Sequence, residues 1–170
     1  VNSKFTLTPT TGSIGDTLTL TGSGFAGGAL NVFFDTQVIK SITVPTTGTT
    51  AGAFTTTIVV PPTTAGAHTV KVQDTEEFEA TFTVTQQFNL TPTGTPISVG
   101  DNINITGNGF PVNATIVVSL DNVPVTITPV PTTSGTGTFN VTFPAPPAAK
   151  GQHTIRVQIG SAAPVSGTIT

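Results

Sequence analysis

The stretch Gly15-Asp16-Thr17-Leu18-Thr19-Leu20-Thr21-Gly22-Ser23-Gly24-Phe25 returns as Gly100-Asp101-Asn102-Ile103-Asn104-Ile105-Thr106-Gly107-Asn108-Gly109-Phe110. In both versions the apolar residues, Leu18 and Leu20 or Ile103 and Ile105, alternate with Thr or Asn. Successive side chains of a strand point to opposite faces, so this alternation marks a strand with one dry face and one wet face. Working outward, Phe5-Thr6-Leu7-Thr8-Pro9 returns as Phe88-Asn89-Leu90-Thr91-Pro92, and Gly66-Ala67-His68-Thr69-Val70-Lys71-Val72-Gln73 as Gly151-Gln152-His153-Thr154-Ile155-Arg156-Val157-Gln158. The offset stays at about 85 residues, which makes the chain two copies of one domain, 1–85 and 86–170.

Period-two runs continue through each copy. In the first they cover residues 4–8, 16–22, 29–35, 37–44, 53–60, 67–74 and 77–85, punctuated by Gly, Pro, Asn and Asp. In the second, Phe139, Val141 and Phe143 alternate with Asn140 and Thr142. No stretch has the 3.6-residue period of a helix. The fold class predicted is all-β: two tandem immunoglobulin-like β-sandwich domains of about seven strands each. The chain has no Cys and no Trp, so each core is expected to be built from Phe, Val, Ile and Leu.

The string from Pro9 through Gly15-Asp-Thr-Leu-Thr-Leu-Thr-Gly-Ser-Gly-Phe25, then Phe54, Pro61-Pro62 and Ala65-Gly66-Ala67-His68-Thr69-Val70, resembles the prokaryotic immunoglobulin-like repeats of the IPT/TIG kind. The resemblance covers both copies almost end to end. It implies a sandwich scaffold of the sort found in tandem on cell-surface, S-layer-associated and other secreted proteins. A scaffold reused for many purposes specifies fold far better than function.

Composition narrows the function classes. Charged residues are 8% of the 170, the net charge is −3, and Thr occurs 38 times, so polarity comes from hydroxyls. Only five Lys and Arg are present, too few to neutralise a run of phosphates, and nucleic acid is not an expected partner. The absence of Cys excludes thiol catalysis, thiolate metal sites and disulfides. No apolar run approaches the roughly 18 residues of a membrane-spanning helix. A chain starting at Val1 reads as a processed mature protein or an excised segment.

Candidate chemistry is sparse. His68 and His153 occupy the same repeat position, which points to a shared structural bond rather than catalysis. Asp16/Asp101 and Asp35/Asp121 recur at turns, where Asp bonds local backbone. Asp74, Glu76, Glu77 and Glu79 have oxygen-ligand spacing, but their counterparts are Ile159, Ser161, Ala162 and Pro164, which favours a solvated hairpin. No catalytic residue, metal site or cofactor is expected.

The sequons are more informative. Asn89-Leu-Thr91, Asn104-Ile-Thr106, Asn113-Ala-Thr115 and Asn140-Val-Thr142 fit N-x-T, and all lie in the second copy, where the first has Thr6, Thr19, Gly27 and Thr55. Alternation turns Asn89, Asn104 and Asn140 outward, while Asn113 falls in a Pro-containing loop, so all four are expected to be sterically able to carry covalent glycans. Phe33, between Val32 and Phe34, should point away from the core and is a candidate subunit contact; its counterpart is Ser119.

These features lead to an expected non-enzymatic extracellular structural protein: a building block of a surface layer, an extracellular filament or pilus, or an adhesin stalk. Its partners would be copies of itself or neighbouring surface-protein subunits, met through sandwich edges, with segments such as 1–8 or 165–170 pairing to a neighbour. The alternatives are a glycan- or receptor-binding module and an accessory domain pair of a larger secreted enzyme or virion protein.

Overall fold

A computed structural model describes residues 3–170. Fifteen strands follow one another: β1 (Lys4–Thr8), β2 (Thr11–Gly12), β3 (Thr17–Ser23), β4 (Gly28–Phe34), β5 (Gln37–Val44), β6 (Phe54–Val59), β7 (Gly66–Gln73), β8 (Glu77–Val84), β9 (Gln87–Thr91), β10 (Asn102–Asn108), β11 (Ile116–Leu120), β12 (Val123–Val125), β13 (Phe139–Pro144), β14 (His153–Ile159) and β15 (Val165–Ile169). The first eight belong to one compact unit, which ends at Thr85, and the last seven to a second, which begins at Gln86 and also takes in Thr63–Ala65.

Each unit is a two-sheet sandwich. In the first, the sheet β1-β3-β6 faces the sheet β2-β8-β7-β4-β5. In the second, β13-β10-β9 faces β12-β11-β14-β15. All pairings are antiparallel except β2 with β8, where Thr11 and Gly12 run parallel to Thr83 and Val84. This two-residue strand, the second element of unit 1, brings its strands to eight and lies outside the period-two runs, being too short to alternate.

Period-two patterning is what separates the faces. Leu18, Leu20, Leu30, Val32, Val70, Val72 and Phe82 are buried in unit 1, and Ile103, Ile105, Val118, Ile155, Val157 and Phe143 in unit 2. Their neighbours along each strand point to solvent or lie half-buried. Burying each such side chain contributes about 1.5–3 kcal/mol before conformational entropy is counted.

The repeated Gly-x-Gly-Phe segment has a packing reason. In unit 1 the rings of Phe25 and Phe54 meet edge to face at 5.2 Å and 67°, and in unit 2 those of Phe110 and Phe139 at 5.4 Å and 61°. Both ring pairs lie over a strand position that has no room for a side chain. A Cβ on Gly107 would sit 2.5 Å from one ring carbon of Phe139 and 2.7 Å from Phe110, and Gly22 is equally crowded by Phe54 and Phe25.

The terminal strands lie in the sheets of their own units. β1 pairs with β3 from Lys4↔Ser23 to Thr8↔Thr19, and β15 pairs with β14 from His153↔Ile169 to Val157↔Val165. Both stand at the edge of their own sheets, paired within the sheet on one side only. Residues 1–2 of the segment 1–8 lie outside the described residues.

Candidate functional site

The outer face of β9-β10-β13 gathers three of the four sequons. Register places Thr91, Asn104 and Thr142 in one row across the sheet and Asn89, Thr106 and Asn140 in the next. Asn and Thr therefore alternate in both directions. The equivalent face of unit 1 has the same rows filled with threonine: Thr8-Thr19-Thr57 and Thr6-Thr21-Thr55, with Thr6 and Thr21 joined hydroxyl to hydroxyl.

The three strand asparagines are not equivalent. Asn104, at the centre, is half-buried, and its Nδ2 donates to Asn140 Oδ1 at 2.6 Å, Thr142 Oγ1 at 2.9 Å and Val141 O at 3.4 Å. The nitrogen that a glycan would use is thus committed to the sheet. Asn140 is exposed but holds this contact through its oxygen, while Asn89 is exposed on the outer strand. Asn113 is exposed in the turn between β10 and β11.

Both histidines bridge to an aspartate across the sandwich end. His68 Nδ1 lies 2.8 Å from Asp35 Oδ2 and His153 Nδ1 lies 2.6 Å from Asp121 Oδ2. The other carboxylate oxygen accepts the amide of Thr69 at 3.0 Å or of Thr154 at 2.9 Å. Asp35 and Asp121 do occupy turns, with φ of 53° and 47°, but their carboxylates reach β7 and β14 rather than their own turn. The expectation of purely local bonding is corrected for this pair. Asp16 and Asp101 do bond locally, each accepting a backbone N–H three residues earlier, from Ser13 and Ser98, at 2.7 Å.

His153 also contacts the carbonyl of Ala149 through Nε2 at 2.8 Å. Both partners only accept, and only the imidazolium has two N–H groups to donate. The hydrogen bond to Asp121, with help from Ala149 O, accordingly raises the His153 pKa, and the hydrogen bond from His153 lowers that of Asp121.

The acidic hairpin is internally bonded. Asp74 accepts the Glu76 amide at 2.9 Å, which holds its carboxyl below the ordinary range, and Glu77 pairs with Lys71 at 3.1 Å. Among the described residues, no three His, Cys, Asp or Glu side chains converge in a metal-binding arrangement.

Phe33 points away from the core but is half-covered, with Lys71 Nζ lying 4.6 Å from its ring centroid. Its cross-strand neighbour on the other side is Val38 of β5, which is 50% exposed. In unit 2 the same place holds Ser119 opposite Pro124.

The sheet edges differ as well. β5 runs eight residues without proline and pairs only with β4. Its counterpart β12 has three residues with Pro124 in the middle, and the chain returns to β11 only at Pro131, whose carbonyl accepts the Ile116 amide at 2.9 Å.

The architecture is that of two consecutive immunoglobulin-like sandwiches. The IPT/TIG domain model matches residues 6–89 and again 88–170, and the chain belongs to that family as a tandem pair. No curated protein matches the sequence. Among solved structures it is similar to the Yersinia pseudotuberculosis adhesin InvE, at 15% identity over 98% of this chain and 58% of that one, with a TM-score of 0.44. It is also similar to a Salmonella alpha-2-macroglobulin reacted with methylamine, at 13% identity over 98% and 14% of the two chains, TM-score 0.36. An ICAM-5 ectodomain fragment gives 14% identity over 99% and 52%, TM-score 0.35. The chain spans less than two thirds of each of these, and the likeness is one of fold. Among the described residues no helix is long and apolar enough to cross a membrane.

Proposed function

We propose that this tandem is a non-enzymatic extracellular scaffold, a building block of a surface assembly such as a filament, surface layer or adhesin stalk, whose first unit meets a neighbouring subunit along β5. The observation that carries the reading is the unequal treatment of one edge in two otherwise matching units. An unpaired strand edge offers a row of N–H and C=O groups to any extended segment, and natural proteins blunt such edges with proline, charge or short strands. Unit 2 does so at β12 with Pro124, whereas β5 of unit 1 stays long and proline-free, interrupted by one register shift against β4 between Val32 and Phe33. Beside that edge, Phe33 and Val38 form an apolar pair where unit 2 has Ser119 and Pro124. Lys40, the one charge on β5, turns to the Thr57 carbonyl at 2.8 Å.

Family membership and the low charge support the same reading, since neutral hydroxyl-rich faces pack without charge repulsion. The titratable groups support it too: each histidine is occupied by the same aspartate bond in both units. Sedimentation velocity over a wide concentration range tests the proposal. The protein should self-associate, and Val38→Lys and Phe33→Ser should each shift it toward monomer without changing its melting profile by more than a few degrees. A protein that stays monomeric at millimolar concentration, or variants that associate as the parent does, would remove β5 as a self-contact.

A further inference from the structure

We propose that Asn113 is an acceptor for an N-linked glycan and that Asn104, despite an equally complete sequon, is not. The inference rests on the extracellular reading above, because N-glycan transfer acts on exported chains.

Four N-x-T matches look alike in the sequence, and the sheet separates them. On a folded chain, N-glycan transfer needs a carboxamide nitrogen that is free and reachable. In the reaction, Asn Nδ2 attacks the anomeric carbon of a saccharide carried on a polyprenyl phosphate or diphosphate. An N–C1 bond forms, the C1–O bond breaks, the lipid phosphate leaves, and one Nδ2 proton is lost to base. Asn104 Nδ2 is already a donor to Asn140, Thr142 and Val141 at the middle of a three-stranded sheet. Transfer would remove one of its two N–H groups and put a sugar on the nitrogen, so at least one of these contacts would have to be given up. The three strand sequons are accounted for without glycans: they are an Asn/Thr ladder across β9, β10 and β13, the counterpart of the all-threonine rows of unit 1.

Asn113 is placed differently. Its segment runs from the end of β10 at Asn108 to the start of β11 at Ile116, outside the named strands, with Thr115 in an isolated bridge to Thr132. Asn113 and Thr115 are both exposed. The turn is fixed from beneath by Thr133, a buried side chain whose hydroxyl donates to Pro111 O at 2.6 Å and accepts the Ala114 amide at 2.8 Å. The Asn113 amide donates to Ser134 O at 3.2 Å. A turn pinned at its base and open at its tip presents the carboxamide outward and leaves room for a bulky substituent.

A structural reason for an asparagine here also exists. Asn113 has φ of 51°, and its counterpart Gly27 has φ of 83°, so the turn requires a residue that tolerates the left-handed region, as Asn does. That requirement accounts for the asparagine but not for Thr115, where unit 1 has Ala29. The threonine two residues on is what completes an acceptor.

The test is incubation of the folded, purified full chain with an oligosaccharyltransferase and its lipid-linked oligosaccharide donor, so that the sheet's hydrogen bonds are in place when transfer occurs. Enzymatic glycan release in heavy-oxygen water, followed by peptide mass spectrometry, reads out which Asn was occupied. Asn113 should be occupied and Asn104 unoccupied. Thr115→Ala, which leaves the left-handed Asn113 in place, should abolish the modification at Asn113 with an unchanged circular dichroism spectrum. An unmodified Asn113, a glycan on Asn104, or a modification that survives Thr115→Ala would overturn the assignment. Asn113 filled in this reaction but bare on protein from its natural source would instead count against the extracellular reading.

Discussion

Gly107→Ala puts the packing argument at its sharpest, because two physical effects of opposite sign compete at that residue. Gly107 lies on β10 and its φ is not in the left-handed region, so adding a methyl group costs nothing in backbone strain. At an ordinary strand glycine, alanine is the better residue by about 0.5–1 kcal/mol, through reduced chain entropy in the unfolded state. Here the new Cβ would lie 2.5 and 2.7 Å from two carbons of Phe139 and 2.7 Å from Phe110, where nonbonded carbons settle about 3.5–4.0 Å apart. The overlap is therefore about 1 Å against two rings that already touch each other and have no free side to move toward. Overpacking of this kind costs about 1–3 kcal/mol, and two rigid neighbours place it at the upper end. The net expectation is a loss of about 2 kcal/mol, equivalent to about 8–16 °C in melting temperature for a domain of this size. Thermal and urea unfolding followed by far-ultraviolet circular dichroism would measure it. The double variant Gly107→Ala, Phe139→Leu should recover part of the loss, since the second change opens the space the first one needs. A Gly107→Ala protein as stable as the parent, or more stable, would refute the claim that the glycine exists to admit the rings.

Two further expectations concern the polar contacts. His153 has a raised pKa through Asp121, and Asp121 a lowered one through His153. The histidine's contribution is fully present below its unfolded value of about 6.5 and fades as pH rises through its higher folded value. The aspartate's is present above its ordinary 3.8 and fades as pH falls through its lower folded value. The pair should therefore add most to the melting temperature between about pH 4 and 6.5, and His153→Gln should flatten that maximum; a variant with the parent's pH profile would show that the bond is energetically silent. Asn104→Ala removes the centre of the Asn/Thr ladder and should cost about 0.5–1.5 kcal/mol in urea unfolding, while an equal or higher midpoint would show that the ladder contributes nothing.

Much of the fold is written locally. Leu18-Thr19-Leu20 and Ile103-Asn104-Ile105 declare a strand and its buried face without reference to anything distant, and the runs 4–8 and 37–44 coincide with β1 and β5. β2 is the exception, because two residues cannot display a period and its only support is a parallel partner more than seventy positions away. The site features are less legible for the same reason. That Asn104 is tied down by Asn140 and Thr142 depends on the register of β10 against β13, which no local pattern encodes. The reach of Asp35 to His68 likewise spans 33 positions. Phe33 was legible as outward-facing from alternation, but its cover by Lys71 follows from the pairing of β4 with β7. The difference between β5 and β12 was in plain view as Pro124, Pro129 and Pro131, and became meaningful only once both strands stood at the same edge.

The proposed assembly requires a neighbouring subunit to be met at the β5 edge. Hydrogen–deuterium exchange read by mass spectrometry, on dilute and on concentrated protein, measures this directly. The prediction is that amides of residues 37–44 become more slowly exchanging at high concentration, while residues 123–125 of the second unit do not change. Equal exchange of 37–44 at both concentrations, in protein that sedimentation shows to be associated, would place the contact elsewhere and contradict the central claim.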